Sequence, residues 1–362
     1  MNHSKFRFSV RFQSTVRNID FNPESLSLTP RSTVFSLIQP TGRFHLGNYL
    51  GAVRNWKDIV EYAPEPTRLI FGVADLHAIT IPKNAKELRD NRFEAIASLL
   101  STGIDTEKAV LYHQSAVHEH AELSWILSCL VSMGNLNRMT QWKSKSSNVG
   151  QNASLGLYSY PVLQAADILL YKSNFVPVGD DQSQHLELSR TIAESFNRTF
   201  GKTFPLPNTI LAPTRKILSL KNPEKKMSKS DPAQNSCLYI TDEPDIISKK
   251  IKKAVTDSIS HEFKYDPEKR PGVSNLINIV SGIQKKKIKD IEQEISAFKD
   301  HKQFKDYVTD IIIEELKPSR LKFNELLSNK DYLYQAVEKG NEKARVVAQQ
   351  TIKEVKQKVG LE

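Results

Sequence analysis

The chain has 362 residues, 39% of them hydrophobic and 25% charged, with a formal net charge of +10. That length suits two domains of ordinary globular composition, and no apolar run approaches the ~20 residues that a membrane helix needs. Its two cysteines, Cys129 and Cys237, lie far apart without a CxxC pair, which excludes a disulfide framework and argues against a structural zinc or iron–sulfur site. Cys129 sits in an apolar helical stretch and is expected in the core. The basic balance suits a polyanionic partner such as nucleic acid.

The first nineteen residues carry Lys5, Arg7, Arg11 and Arg17 among Phe6, Phe8, Val10 and Phe12, with no Asp or Glu. This is the composition of a mitochondrial transit peptide, with the matrix as destination; a basic arm that touches RNA is the alternative. Residues 1–32 are therefore read as leader and linker. From residue 33 short apolar runs alternate with helical periods. Strands are predicted at 34–38, 68–74, 109–112 and 176–179. Helices are predicted at 46–62, from Asn84 (a capping residue) to Gly103, over 119–139, and from Asp180-Asp181 to Gly201. Such alternation implies an α/β fold with a Rossmann-like, doubly wound parallel sheet, whose ligands lie beyond the carboxyl ends of the strands. After about residue 235 basic amphipathic helices dominate, predicted at 241–258, 302–316, 318–329 and 341–358. Lys249, Lys250, Lys252, Lys253 and the cluster Lys285, Lys286, Lys287 and Lys289 suit a phosphate backbone as a set. The division expected is a catalytic domain at 33–220, a loop at 221–232, a helical domain at 233–335, and a last helix at 336–362 packing back on the body.

Four segments carry chemistry. The first strand runs into Gln39-Pro40-Thr41-Gly42 and then His45-Leu46-Gly47-Asn48. Glycines here allow close approach to the backbone, and a helix start favours phosphate. Asp167 stands in an otherwise apolar stretch, and a lone buried carboxylate costs several kcal/mol unless it finds a donor; a helix cap, an internal ion pair and a ligand contact all remain open. Gly179-Asp180-Asp181-Gln182 forms a strand-to-helix turn, where carboxylates are stabilised by the helix dipole or could accept from ribose hydroxyls. Finally, Lys226-Met227-Ser228-Lys229-Ser230 lies between Pro223 and Pro232. Two lysines in a polar loop are ordinarily just solvated, but they can also close over a polyphosphate.

In this order, the His45–Asn48 turn and the 226–230 loop resemble the paired signatures of class I aminoacyl-tRNA synthetases, with Asn48 where the first signature usually ends in histidine. Together with Asp75-Leu76-His77-Ala78-Ile79-Thr80, Met139 to Lys143, Gln164-Ala165-Ala166-Asp167, the run from Val176 to Gln182, Ala254 to Ser258, and Pro271 to Leu276, the chain from about 33 to 360 resembles the tryptophanyl-tRNA synthetases of bacterial and mitochondrial type. The resemblance implies that Asp167 takes the indole N–H of tryptophan, with Val176, Val178, Gln164 and Gln182 lining the slot. It implies that ATP, arriving with Mg²⁺, meets Gln39, Pro40, Thr41, His45, Leu46, Gly47, Asn48, Gly179, Asp180, Asp181, Ile217, Lys226, Met227, Ser228, Lys229 and Ser230. Gln39, Lys143, Lys226 and Lys229 would serve catalysis. It further implies a homodimer and a tRNA(Trp) partner read by the helical domain. Gln164 departs from a common methionine, and Asp180 from the more usual glutamate. Tyrosyl-tRNA synthetase and an inactive RNA-binding relative are the rival readings.

Overall fold

The structure is a computed structural model that describes residues 18–20, 28–149, 153–211, 216–229, 231–233, 235–259 and 262–362. Most of the expected leader, and Ser230, lie outside the described residues. So do the side chains of 145–149 and of Asp180.

Six strands form one sheet: β1 (Asn18–Asp20), β2 (Thr33–Ile38), β3 (Arg68–Val73), β4 (Ala109–His113), β5 (Phe175–Val178) and β6 (Asn208–Leu211), in the order β1-β6-β5-β2-β3-β4 with every pair parallel. Alternate residues point to opposite faces. Val34, Leu69, Phe71 and Leu111 enter the core on one side, and Phe35, Ile70 and Tyr112 enter the core on the other. Both faces are covered by helices, as a doubly wound sheet requires. The chain winds outward from β2 through β3 to β4, then returns to build β5 and β6 on β2's other flank. The crevice at that reversal, beyond β2 and β5, is where such folds place ligands.

The helices are α1 (Leu46–Asn48), α2 (Arg54–Tyr62), α3 (Asp75–Ala78), α4 (Ala85–Ser101), α5 (Glu119–Ser128), α6 (Met133–Asn137), α7 (Thr140–Val149), α8 (Leu155–Leu170), α9 (Ser183–Phe200), α10 (Pro244–Lys252), α11 (Pro271–Gln284), α12 (Ile288–Glu294), α13 (His301–Ser328) and α14 (Lys330–Val359). A π-helical turn, Tyr49–Val53, joins α1 to α2. Asn84 caps α4, accepting from the backbone N–H groups of Lys86 and Glu87, and Gly103 follows its end at φ +92°.

Several elements differ from expectation. Asn18–Asp20 pairs with Thr209–Leu211, so the sheet begins inside the segment read as leader and linker. The 119–139 stretch is two helices, because Ser132 caps a new start by accepting from Asn135 N–H. The two helices expected either side of Pro318 are one, α13. A proline there costs about 3 kcal/mol, and the burial of Leu316, Ser319, Arg320 and Phe323 around it offsets that loss. Cys129 is exposed rather than in the core, whereas Cys237 is buried.

Helix α14 crosses the open edge of the sheet at β4. Asn341 Oδ1 accepts the His113 backbone N–H at 3.0 Å, supplying a partner for an edge group. Gly340 makes this approach possible: a Cβ there would stand 1.8 Å from the Leu111 carbonyl oxygen. Gly340→Ala is expected to push the helix off the strand and cost about 3 kcal/mol, read as a lower urea midpoint. A second anchor joins the helical region to α2. Arg54 donates to the carbonyls of Gly282 and Ile283 at 2.6 and 2.7 Å, Tyr49 Oη donates to Glu315 at 2.7 Å, and Lys285 pairs with the buried Asp58 at 2.8 Å.

Candidate active site

The end of β2, the start of α1 and the 226–229 segment converge. Thr41 N–H turns back to the Gln39 carbonyl, and Gly42 follows at φ +79°. His45 caps α1: its Nδ1 accepts from Asn48 N–H at 3.2 Å, while Asn48 Oδ1 accepts from His45 N–H at 3.3 Å. The strand-like segment after the lysine loop completes this turn, with Leu46 N–H donating to the Leu238 carbonyl and Ile240 N–H to that of Phe44. Gly47 faces Ile217, and a Cβ there would lie 3.7 Å from Ile217 Cβ.

Lys226 bridges Leu218 in antiparallel fashion, and Met227 is only 2% exposed, with its N–H on the Ile217 carbonyl. That buried methionine makes the segment a docked strap. Lys229 Nζ donates to the Thr41 carbonyl at 2.9 Å and reaches Asn91 Oδ1 at 3.5 Å. Gln39 is exposed beside this group, while Pro40 and Leu46 are buried, so the Leu46 side chain packs into the core beneath the turn.

Burial, and then the charge of Lys226, lower the His45 pKa to about 4. The ring is therefore neutral at physiological pH and free to accept the Asn48 N–H. Burial, and then Arg92, lower His113 to about 4 as well. Because both folded values lie below the ordinary 6.5, their contribution to stability is complete above about pH 6.5 and is lost as pH falls toward 4. His45→Asn, which keeps a capping side chain, is expected to flatten part of that acid sensitivity in thermal melts collected between those limits.

Asp167 lies on α8 and is 1% exposed. It has the donors that its burial demands: His77 Nε2, His120 Nδ1 and Gln114 Nε2, each at 2.7 Å. Burial alone would raise its pKa, but the facing His120 and His77 overcome this and hold it at about 2. Of the alternatives left open in the sequence, internal partners are thus present around Asp167. Gln114 follows β4 directly, so inspection beyond each strand end could have found it; His120 carries no local signal.

A third group lies beyond β5. Gln164 Nε2 donates to Gln182 Oε1 at 3.3 Å, and His185 Nδ1 stands 2.8 and 3.1 Å from Gln164 Oε1 and Gln182 Oε1. Tyr160 Oη donates to Gln141 Oε1, and Gln141 Nε2 to the Asp181 carbonyl. Burial, aided by the Asp181 carboxylate, pushes Tyr160 to about 12, so its hydroxyl keeps the proton it donates. The His77 and Tyr160 rings meet edge-on at 6.2 Å, linking this group to Asp167. A Cβ at Gly179 would stand 2.8 Å from Asp181 Oδ1. Val176 is buried in the core and Val178 half-buried. Lys143 is exposed on α7, whose first turn is tied to α9 by Thr140 on Gln184. Tyr160 and His185 join the set without having been singled out in the sequence.

The profile of the family described as "tRNA synthetases class I (W and Y)" matches residues 27–317. The chain belongs to this family. Class I synthetases of this type include relatives close to full length. The mitochondrial tryptophan--tRNA ligase of Saccharomyces cerevisiae is 56% identical across 97% of each chain, and that of Schizosaccharomyces pombe is 43% identical across 94% of this chain and 98% of its own. Among solved structures, the tryptophanyl-tRNA synthetase of Mycoplasma pneumoniae aligns with a TM-score of 0.81 at 31% identity, covering 92% and 98% of the two chains. That of Campylobacter jejuni, complexed with ADP and tryptophan, aligns at 0.76 and 34% identity, covering 91% and 100%.

Proposed function

We infer that the chain is a mitochondrial tryptophan--tRNA ligase, activating tryptophan with ATP and passing it to tRNA(Trp). The observation that carries this reading is near end-to-end identity with two mitochondrial ligases named for tryptophan. The geometry agrees. A docked cationic strap faces a glycine-lined turn at the sheet's reversal, and α8 carries a buried carboxylate with a lowered pKa. Indole N–H is a donor only, matched to an acceptor-only group.

In the first step the tryptophan carboxylate attacks the α-phosphorus in line, and pyrophosphate leaves. The tRNA's terminal ribose hydroxyl, the 2′-OH in this class, then takes the acyl group. Neither step needs a protein nucleophile, so the residues act by positioning and by neutralising charge. Gln39, Thr41, His45, Gly47 and Asn48 hold the nucleotide, with Ile217 against adenine. Lys226 and Lys229, joined by Lys143, grip the phosphates. The Gly179–Gln182 turn meets the ribose and, with Gln164, the amino acid. Mg²⁺ is carried on the ATP phosphates; among the described residues no group of three or more His, Cys, Asp or Glu could hold a metal ion.

The helices of 233–335 read the anticodon, and the enzyme works as a homodimer in the matrix. An exposed apolar face supports the pairing. Ile79, Ile81, Met133 and Leu155 are more than half exposed, and hydrogen bonds from Ser154 to the Thr80 carbonyl and from Tyr158 to the Met133 carbonyl bring them onto one surface. Trp125, 73% exposed, lies on the neighbouring α5. No helix among the described residues is long and apolar enough to cross a membrane. ATP–pyrophosphate exchange assayed with each amino acid tests the assignment: exchange with tryptophan alone is expected, exchange with tyrosine would move the chain to the sister specificity, and none would leave an RNA-binding relative.

A further inference from the structure

The three donors on Asp167 are not shared evenly between its oxygens. Gln114 Nε2 and His120 Nδ1 both meet Oδ1, each at 2.7 Å, while His77 Nε2 meets Oδ2 at 2.7 Å. A carboxylate has about two acceptor positions per oxygen. Oδ1 is therefore full, and Oδ2 keeps one.

Both Oδ1 donors are themselves fixed. Leu76 N–H donates to Gln114 Oε1 at 3.1 Å, which leaves the Gln114 amide nitrogen to face Asp167. On the far side of His120, the Tyr112 and Tyr171 hydroxyls stand 3.0 and 3.2 Å from Nε2. An imidazole whose Nδ1–H is committed to a carboxylate presents Nε2 as an acceptor, so a tyrosine hydroxyl can close on it. Both tyrosines keep their protons, because burial raises their pKa values above the ordinary phenol range. Gln114 and His120 have no exposed surface, and Tyr112 and Tyr171 at most 1%. None of the four belongs to the nucleotide group. Three elements supply them: β4 and the turn after it, α5, and the end of α8.

We propose that His120, seated by Tyr112 and Tyr171, is a positioning residue for amino-acid recognition. With Gln114 it fills Oδ1 of Asp167 and turns the remaining acceptor position of Oδ2 toward the substrate's ring N–H. This rests on the assignment of Asp167 to the indole. Without His120 the carboxylate regains a free position on Oδ1 and a degree of rotation, and the N–H contact loses its direction.

The test is ATP–pyrophosphate exchange by the full chain with tryptophan and with its benzothiophene isostere, which carries sulfur in place of the ring N–H. The ratio of the two kcat/KM values reads the indole hydrogen bond. His120→Leu is expected to lower that ratio about tenfold, through tryptophan alone, with the isostere and the KM for ATP unchanged. His120→Asn, which returns a donor near the Nδ1 position, should recover most of it. Equal losses for both amino acids would mean that His120 merely supports the fold and would overturn the proposal. Asp167→Ala separates the two claims. If it leaves the ratio intact, the indole assignment fails. If it collapses the ratio while His120→Leu does not, only the role of His120 fails. Should His120→Leu not fold, the double variant Tyr112→Phe/Tyr171→Phe reads the same ratio, and an unchanged value there counts against the proposal.

Discussion

Asp167→Ala is expected to cut the preference for tryptophan over phenylalanine by about 10⁴ in kcat/KM, most of it through tryptophan. A site built to pair a buried polar group rejects an analogue that leaves that group unpaired by about 10⁴–10⁵. Phenylalanine fills much of the same volume but offers Asp167 no donor. Once the carboxylate is gone, its ring is no longer penalised and the indole has no partner. The substitution also leaves His77, His120 and Gln114 facing an empty position, so the fold should lose about 3 kcal/mol. Selectivity must therefore be measured well below the variant's lowered melting temperature. Exchange assays with both amino acids decide the matter, and retained selectivity would place indole recognition elsewhere. The wild-type preference should be flat across pH 5–8 as far as this group is concerned. With its pKa depressed from 3.8 to about 2, Asp167 contributes stability above the ordinary value that is lost only as pH falls toward 2.

Lys229→Ala is expected to slow adenylate formation by about 10²–10³ and to leave tryptophan affinity within about twofold. Losing one preorganised donor to developing charge costs about that much. The ammonium now rests on the Thr41 carbonyl, next to Gly42, so it is held over the turn assigned to the phosphates before any ligand arrives. Its contact with Thr41 is exposed and its contact with the buried Asn91 is long, at 3.5 Å, so removal is expected to lower the melting temperature only slightly. Single-turnover adenylation against equilibrium tryptophan binding separates the two effects. An unchanged adenylation rate would remove Lys229 from the chemistry.

The sheet was legible where strands are apolar and flanked by helical periods, as at 34–38, 68–74 and 109–112. The edge strand β1 and its neighbour β6 were not: Asn18-Ile19-Asp20 and Asn208-Thr209-Ile210-Leu211 are short and mix polar with apolar residues, which leaves too little pattern to distinguish from a loop. Pro318 misled for a physical reason: local propensity argues for a break, and burial on both sides of the ring overrides it. The site divides the same way. Asp167 announced itself as a charge in an apolar run, and the lysine strap as a string. The residues that hold Asp167, by contrast, come from three separate elements and meet only through the tertiary fold. Cys129 was misplaced because an apolar stretch also covers a helix face that stays exposed.

Arg54 deserves a last consequence. It is the first residue of α2, directly after the π-helical turn, and it holds the final carbonyls of α11 while Tyr49, on the preceding turn, holds Glu315 of α13. The far end of that same helical run is the His45–Asn48 turn. The run is thus a short strut pinned at both ends. No slack loop separates α11 and α13 from the Gly47 turn, and the strut's hydrogen-bond register is irregular at Tyr49–Val53.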